Sequence, residues 1–192
     1  LSVDANYQRA DGEYPFELKN GQLITEEKRI NTDIESIQGE ANLFHTFQDE
    51  SELNVKTYYF HSQRGLPGAV ILYNKESDER LRDDNFFAQA RYKKVFNPKW
   101  TLQAQGKYNY SWNKYEDTGA EYVGGKQTDT NRQKEYYLSA SVLYQPMKGW
   151  SLSLSQDGFI NKLHTNGTNS PEPTRYSSLT ALNIRYQQNG WK

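Results

Sequence analysis

The chain has 192 residues, a nearly balanced charge of 23 basic against 24 acidic residues, and no cysteine. These values exclude a disulfide framework and a thiolate metal site, and they leave no large basic field that could attract nucleic acid. Hydrophobic residues make up only 35% of the chain and the mean hydropathy is -1.00, yet 15 Tyr, 8 Phe and 4 Trp are present. This combination argues against disorder and favours thin, two-faced strands over helices around an apolar centre.

The N-terminal third predicts four strands. Residues 7–18 and 21–32 are expected to pair as a hairpin with Asn20-Gly21 at its turn, because Asn-Gly is a typical hairpin connection. Two segments with strict alternation follow. Their apolar sets are Ile37, Gly39, Ala41 and Leu43, and then Leu53, Val55, Thr57 and Tyr59.

The clearest strand prediction covers residues 100–112, where apolar and polar residues alternate without interruption. One face carries Trp100, Leu102, Ala104, Gly106, Tyr108, Tyr110 and Trp112. The preceding segment, 86–95, alternates in the same way and is separated by Phe96-Asn97-Pro98-Lys99. Pro cannot serve the interior of a ladder, so this stretch predicts a turn and the two segments predict a hairpin.

The same pattern recurs twice further along the chain. Residues 136–145 alternate, a turn is predicted at 146–149, and Trp150 begins the next alternating segment. Residues 182–187 alternate again, and a turn at 188–190 leads into Trp191. Each of the three short turns is therefore followed by a tryptophan, at Trp100, Trp150 and Trp191.

The predicted connections alternate in length, with long polar loops at about 65–83, 116–133 and 161–176. Short turns at one end and long loops at the other are typical of outer-membrane barrels, and Trp beside the short turns suits an interfacial girdle. No apolar run approaches the about 20 residues of a membrane-spanning helix. We therefore expect an all-β, antiparallel up-and-down meander of about eight strands that forms a partial transmembrane β-barrel over residues 1–192.

Soluble β-sandwiches also alternate apolar and polar residues, so a sandwich is the alternative. In that case exposed Tyr and Trp would serve a carbohydrate-binding module. The discriminating feature is where the aromatic residues lie. Girdle residues should line up at one rim on one outward face, whereas a sugar platform would gather them on a concave patch with polar partners.

Sequence motifs give little support for catalysis, and we predict neither an enzyme nor a cofactor. His45, His61 and His164 are not spaced as metal ligands, and no phosphate-binding loop or nucleophile motif is present. Two clusters of acidic residues could bind calcium through their carboxylate oxygens, or they could be loop residues exposed to solvent. They comprise Glu76, Asp78, Glu79, Asp83 and Asp84 in the first long loop, and Glu116, Asp117 and Glu121 in the second.

The most distinctive short segment is Arg64-Gly65-Leu66-Pro67-Gly68. Two Gly and one Pro predict a bend where a strand ends. The glycines would permit either a close approach of the backbone to a ligand or a simple strand-to-loop turn, and both interpretations remain open at this level.

Several segments resemble TonB-dependent outer-membrane receptors, in particular the vitamin B12 and siderophore branch as found in Bacteroidetes. They are ADGEYPF at 10–16, GEANLFHTF at 39–47, YYF at 58–60, RGLPG at 64–68, NFF at 85–87, LQAQGKY at 102–108 and PTRY at 173–176. The resemblance implies a 22-stranded barrel closed by a plug domain and energised through TonB, and it implies uptake of a bulky nutrient. This chain would then be a segment of such a barrel, without the plug and starting inside a longer precursor.

The resemblance implies outer-membrane lipid, the parent's plug domain and a nutrient as partners, with TonB reached only through the parent. The outer membrane of a Gram-negative cell is the expected location, and no nucleic acid partner is expected. Weak candidates for nutrient contact are Arg64, Gly65, Gly68, Tyr115 and Tyr122. Because an open run of strands has two unpaired edges, the isolated segment is expected to close on itself or to self-associate.

Overall fold

A computed structural model describes residues 1–68, 70, 77–118, 124–167 and 172–187. In these residues every regular element is a β-strand. The strands are β1 Ser2–Ala10, β2 Tyr14–Asn20, β3 Leu23–Arg29, β4 Ile34–Thr46, β5 Glu52–Leu66, β6 Glu79–Asn97, β7 Trp100–Asp117, β8 Gln127–Tyr144, β9 Trp150–Thr165 and β10 Thr174–Tyr186. No helix among the described residues is long and apolar enough to cross a membrane.

Eight strands form one antiparallel sheet in the order β1-β4-β5-β6-β7-β8-β9-β10, and β2 and β3 form a separate hairpin. From β4 onward each strand pairs with the next in the chain, which confirms the predicted all-β, antiparallel meander of about eight strands. Within the described residues the sheet is open, because β1 and β10 each pair on one side only. The chain therefore does not close on itself here, and self-association through the edges stays a prediction.

The connections fall into two classes, one at each end of the sheet. The turns at 47–51, 98–99 and 145–149 lie at one end, which we call the short-turn end. The connections at 11–33, 67–78, 118–126 and 166–173 lie at the opposite, long-loop end. The first of these contains the β2–β3 hairpin. The predicted asymmetry between the two ends is present in the fold.

One predicted pairing is wrong. The hairpin is turned near Asn20-Gly21 as expected, but the segment 7–18 is not a single strand. It breaks at Gly12, which has a φ of 67°, and a Cβ there would lie 2.8 Å from the carbonyl carbon of Thr32. Residues before the break belong to β1 and pair with β4, so that Tyr7 faces Ile37. These partners lie far apart in the sequence, so a local alternation pattern cannot predict that they pair.

The strands also extend further toward the long-loop end than alternation indicated. Strand β6 begins at Glu79, β7 continues to Asp117 and β8 begins at Gln127. Polar residues occupy both faces in these extensions, so no apolar alternation marks them. Backbone hydrogen bonds between neighbouring strands hold them, and that pairing is invisible in one segment's sequence.

Candidate functional site

The two faces of the sheet differ sharply in chemistry. Paired residues in an antiparallel ladder point to the same side, so the register assigns every side chain to a face. The face that contains Leu102, Ala104, Leu138, Ala140 and Val142 we call the apolar face. The opposite face, with Gln103, Gln105, Ser139 and Ser141, we call the polar face. The predicted alternation on β4–β10 corresponds to these faces.

The apolar face is exposed, and no hydrophobic residue among those described is buried. Leu138 is 69% exposed, Leu182 67% and Leu154 53%. On β9, by contrast, Ser151, Ser153, Ser155 and Asp157 of the polar face are half-buried. This is the reverse of a water-soluble sheet, in which the apolar face is the one that is covered.

Aromatic side chains border the apolar face at the short-turn end. Trp100 stacks on Tyr144 with ring centroids 4.2 Å apart, and Trp150 packs on Tyr186 at 4.8 Å. Both tryptophans lie on the apolar face as the first residues of their strands. The structure thus brings two of the predicted girdle residues to one rim and one face. Trp191, the third, lies outside the described residues.

A second aromatic row borders the same face toward the long-loop end, and sequence analysis missed it. Its members on the central strands are Tyr59, Phe86, Tyr108, Tyr110 and Tyr136. The row runs diagonally across the sheet. Tyr7 of β1 lies level with His61, two residues nearer the long-loop end than Tyr59 of β5. Tyr59 in turn lies level with Tyr110, two residues nearer that end than Tyr108 of β7. Register alone reveals this alignment, since the residues come from five different segments.

On β6, Lys94 lies on the apolar face opposite Leu102 and pairs with Asp49 of the 47–51 turn. On β7–β10 the apolar face between the two rows carries no charged side chain among the described residues. Its polar exceptions near the β10 edge satisfy one another. The Gln156 amide donates to Ser178 Oγ at 2.8 Å, and the Thr180 hydroxyl donates to Gln156 Oε1. The part of the apolar face between the two rows, which we call the apolar band, therefore exposes few polar groups that lack a hydrogen-bond partner.

The polar face holds a connected network with aromatic pairs inside it. The Gln105 amide donates to Tyr137 Oη at 3.0 Å, and the Tyr137 hydroxyl donates to Asp157 at 3.1 Å. The Tyr137 ring packs on Phe159 with centroids 4.6 Å apart. Such a platform offers both stacking and hydrogen bonding to a ligand.

A second aromatic pair lies two strands away on the same polar face. Tyr58 stacks on Phe87 with centroids 5.3 Å apart and an interplanar angle of 23°. The Lys107 ammonium lies 4.8 Å above the Phe87 ring, between this pair and the Tyr137 pair. Sequence analysis did not single out these residues. The apolar Phe87 and Phe159 at otherwise polar positions were the signal that could have found them.

The weak candidates for nutrient contact divide into two groups. Arg64 and Tyr115 lie in one row across the polar face, each directly opposite Leu81 of β6, near the long-loop end. Arg64 Nη2 lies 3.4 Å from a carboxylate oxygen of Asp83. Gly65 and Gly68 instead contact the segment 29–33 of the chain itself. Tyr122 lies outside the described residues.

The segment 29–33, which we call the strap, crosses the long-loop end of β5 and β6. Asn31 adopts a φ of 55° and its side-chain amide donates to the carbonyls of Leu66 at 3.0 Å and Glu79 at 2.8 Å. Arg29 donates to the carbonyl of Gly68. The close backbone approach at Gly65 is thus made to Asn31, and its use by a ligand stays a prediction.

An ion pair fixes the end of the strap. Asp33 accepts two hydrogen bonds from the Arg80 guanidinium, at 3.2 and 2.6 Å, and its backbone carbonyl accepts from Gly65 N at 2.9 Å. The Arg80 hydrogen bonds hold the pKa of Asp33 below its usual 3.8. At the other end of the sheet, Lys94 and Ser51 lower the pKa of Asp49 in the 47–51 turn.

The predicted acidic groups are dispersed by the fold. Asp83 and Asp84 point to opposite faces, and Asp84 binds His61 at 2.8 Å and Tyr59 at 2.9 Å. Glu116 pairs with Lys114 and Lys126. Glu76 and Glu121 lie outside the described residues. In the described ranges no three His, Cys, Asp or Glu side chains gather in a way that could hold a metal ion.

No protein-family model matches the chain, and no curated protein matches it.

Proposed function

We propose that the chain is a wall segment of an outer-membrane β-barrel belonging to a TonB-dependent receptor that takes up a bulky nutrient. The observation that carries this proposal is the reversed burial of the sheet. On β8 and β9, large apolar residues such as Leu138 and Leu154 are exposed, while the polar face is half-buried. In lipid this arrangement is favourable, because the apolar face meets acyl chains and the polar face lines an aqueous lumen.

The spacing of the aromatic rows supports a membrane setting. From Trp100 the strand rises about 27 Å to Tyr108 and about 34 Å to Tyr110 at roughly 3.4 Å per residue, which corresponds to about 21 and 26 Å along the normal for a tilt near 40°. Outer-membrane barrels have an apolar band about 25 Å tall between aromatic girdles. The diagonal course of the second row is the pattern that tilted strands would produce.

The polar face supports the nutrient-uptake part of the proposal. The Tyr58–Phe87 and Tyr137–Phe159 pairs flank Lys107, and Arg64 and Tyr115 lie nearer the long-loop end. A lumen with these groups could stack on a large planar nutrient and pair with its charge. In this proposal the plug domain and TonB are contributed by the parent receptor, and the chain itself performs no catalysis.

A soluble carbohydrate-binding module is the second candidate, and the polar-face aromatic pairs favour it, since sugars stack on such rings. It requires another sheet or partner to cover the apolar face, because an exposed apolar sheet is unstable in water. The two candidates therefore differ in what contacts Leu138 and its neighbours.

Cysteine labelling in vesicles would test the proposal, and the chain suits it because it has no native cysteine. Leu138→Cys and Ala140→Cys report on the apolar face, and Ser139→Cys and Ser141→Cys are matched controls on the same strand. In phosphatidylcholine vesicles we expect a membrane-impermeant maleimide to label the two control positions and to spare the two apolar-face positions.

Two outcomes would contradict the membrane assignment. Apolar-face cysteines that are protected equally without lipid would indicate a protein partner instead. A chain that stays in the aqueous phase and is retained on immobilised oligosaccharide would favour the carbohydrate-binding module. For the uptake part, cobalamin and a ferric siderophore are the probes, and Phe87→Ala should weaken retention of whichever one binds.

A further inference from the structure

A basic cluster lies on the apolar face of β8 and β9, just beyond the second aromatic row. Lys134 stands directly opposite Lys162, and Arg132 stands directly opposite His164. Side chains that face each other in this way have Cβ atoms about 5 Å apart, and like charges so placed destabilise a sheet. An anion between the two lysines would convert this repulsion into attraction.

The cluster lacks acidic partners of its own. Within the described ranges, no carboxylate lies within ion-pair distance of Arg132, Lys134 or Lys162, whereas Arg80, Lys94 and Lys114 all have one. The single acid at the cluster is Glu172, which pairs with His164 at its outer margin. Glu135 points to the polar face, because it lies one residue from Lys134.

These side chains line a surface groove. The groove has a volume of about 330 Å³ and is bordered by Arg132, Lys134, Lys162, His164, Glu172 and Thr174. Tyr136 and Ile160 occupy the adjacent position toward the apolar band, two residues from Lys134 and Lys162 on the same face. The groove therefore opens directly onto the surface that would contact acyl chains.

We propose that this groove binds a phosphate group of an anionic lipid whose acyl chains lie along the apolar face. Lysine ammonium and arginine guanidinium groups are the usual protein ligands of phosphate. Continuity between the groove and the apolar band favours a lipid headgroup over a free anion, because the same molecule can occupy both. The inference rests on the membrane assignment proposed above.

Lipid binding by the full chain in detergent micelles would test the site, with native mass spectrometry as readout. The probes are phosphatidylglycerol, phosphatidylcholine and inorganic phosphate. Each basic residue near an anionic headgroup is worth about fivefold in affinity, so Lys134→Gln with Lys162→Gln should weaken phosphatidylglycerol binding about 30-fold. The matched control, Lys56→Gln with Lys93→Gln on the polar face, should leave it unchanged.

The possible results distinguish a failure of the proposed lipid site from a failure of the membrane assignment. Equal binding of the two lipids, or undiminished phosphatidylglycerol binding by the Lys134/Lys162 double variant, would overturn the site and leave the membrane assignment standing. Displacement of phosphatidylglycerol by millimolar inorganic phosphate would identify a free-anion site instead. Failure to bind either lipid would overturn both. Thermal unfolding gives a second readout: phosphatidylglycerol should raise the Tm of the wild type and of the control, but not that of the double variant.

Discussion

Asn31 occupies the space that a side chain at position 65 would need. A Cβ built on Gly65 would overlap the Asn31 side-chain oxygen and lie 2.6 Å from its carbonyl carbon. The same asparagine donates to the carbonyls of Leu66 and Glu79. This contact joins the strap to the end of the β5–β6 pair, across more than thirty residues of sequence.

Gly65→Ala should therefore displace the strap and cost about 1–3 kcal/mol of unfolding free energy, as overpacking does elsewhere. Gly106→Ala is the control, because the nearest atoms to a Cβ there lie 3.8 Å away. That change should be neutral or slightly stabilising. Urea unfolding of the refolded chain would measure both, and equal losses for the two variants would contradict the role assigned to Asn31.

The Asp33–Arg80 pair should stabilise the strap in a pH-dependent way. Both side chains are more than a third exposed, so we expect a coupling of no more than about 1 kcal/mol from a double-mutant cycle with Asp33→Asn and Arg80→Gln. Because the folded pKa of Asp33 is lowered from 3.8, the contribution is present above that pH. It is lost as the pH falls through the lower folded pKa, and a coupling unchanged by acidification would contradict this account.

In a bilayer, a positive charge on the apolar face should lower the unfolding free energy much more than one on the polar face. Ala140→Arg puts a cation midway between Tyr136 and Tyr144, in the middle of the apolar band, and we expect it to cost about 2–4 kcal/mol in lipid vesicles. Ser139→Arg, one residue away on the polar face, should cost under about 1 kcal/mol. The measurement is urea unfolding in phosphatidylcholine vesicles. Similar costs at both positions would argue against lipid contact.

Trp100 should report a shallow depth in the membrane. In a chain that retains only this tryptophan, lipids brominated near the headgroup should quench its fluorescence more strongly than lipids brominated near the acyl ends. Stronger quenching by the deep label would remove Trp100 from the interface. Trp100→Ala should also cost about 1 kcal/mol or more, because it removes the stack on Tyr144.

The open edges at β1 and β10 should make the isolated chain associate. Neither edge has a second strand partner within the described residues, and unpaired edges are templates for pairing. Size-exclusion chromatography with light scattering in detergent should reveal dimers or larger species whose proportion rises with concentration. A stable monomer over a hundredfold range of concentration would contradict the prediction.

From β4 onward, the sequence by itself determined the central part of each strand and the face on which its side chains lie. Alternation with a period of two is a local property, so the apolar residues around Leu102 and Leu138 could be assigned to one side without knowledge of any partner. Turn residues such as Pro98 marked the short connections for the same reason. The tryptophans at Trp100 and Trp150 could be placed at one rim because they directly follow those turns.

The tertiary structure decided what depends on pairing between distant segments. The register aligned Tyr7, Tyr59 and Tyr108 into a second row, brought Lys134 opposite Lys162, and joined β1 to β4 across the β2–β3 hairpin. None of these relations has a local signature, because each is fixed by which strands exchange hydrogen bonds and by the position at which they do so. The same holds for Gly65: the sequence indicated a close approach, and only the fold identified Asn31 as the group that makes it.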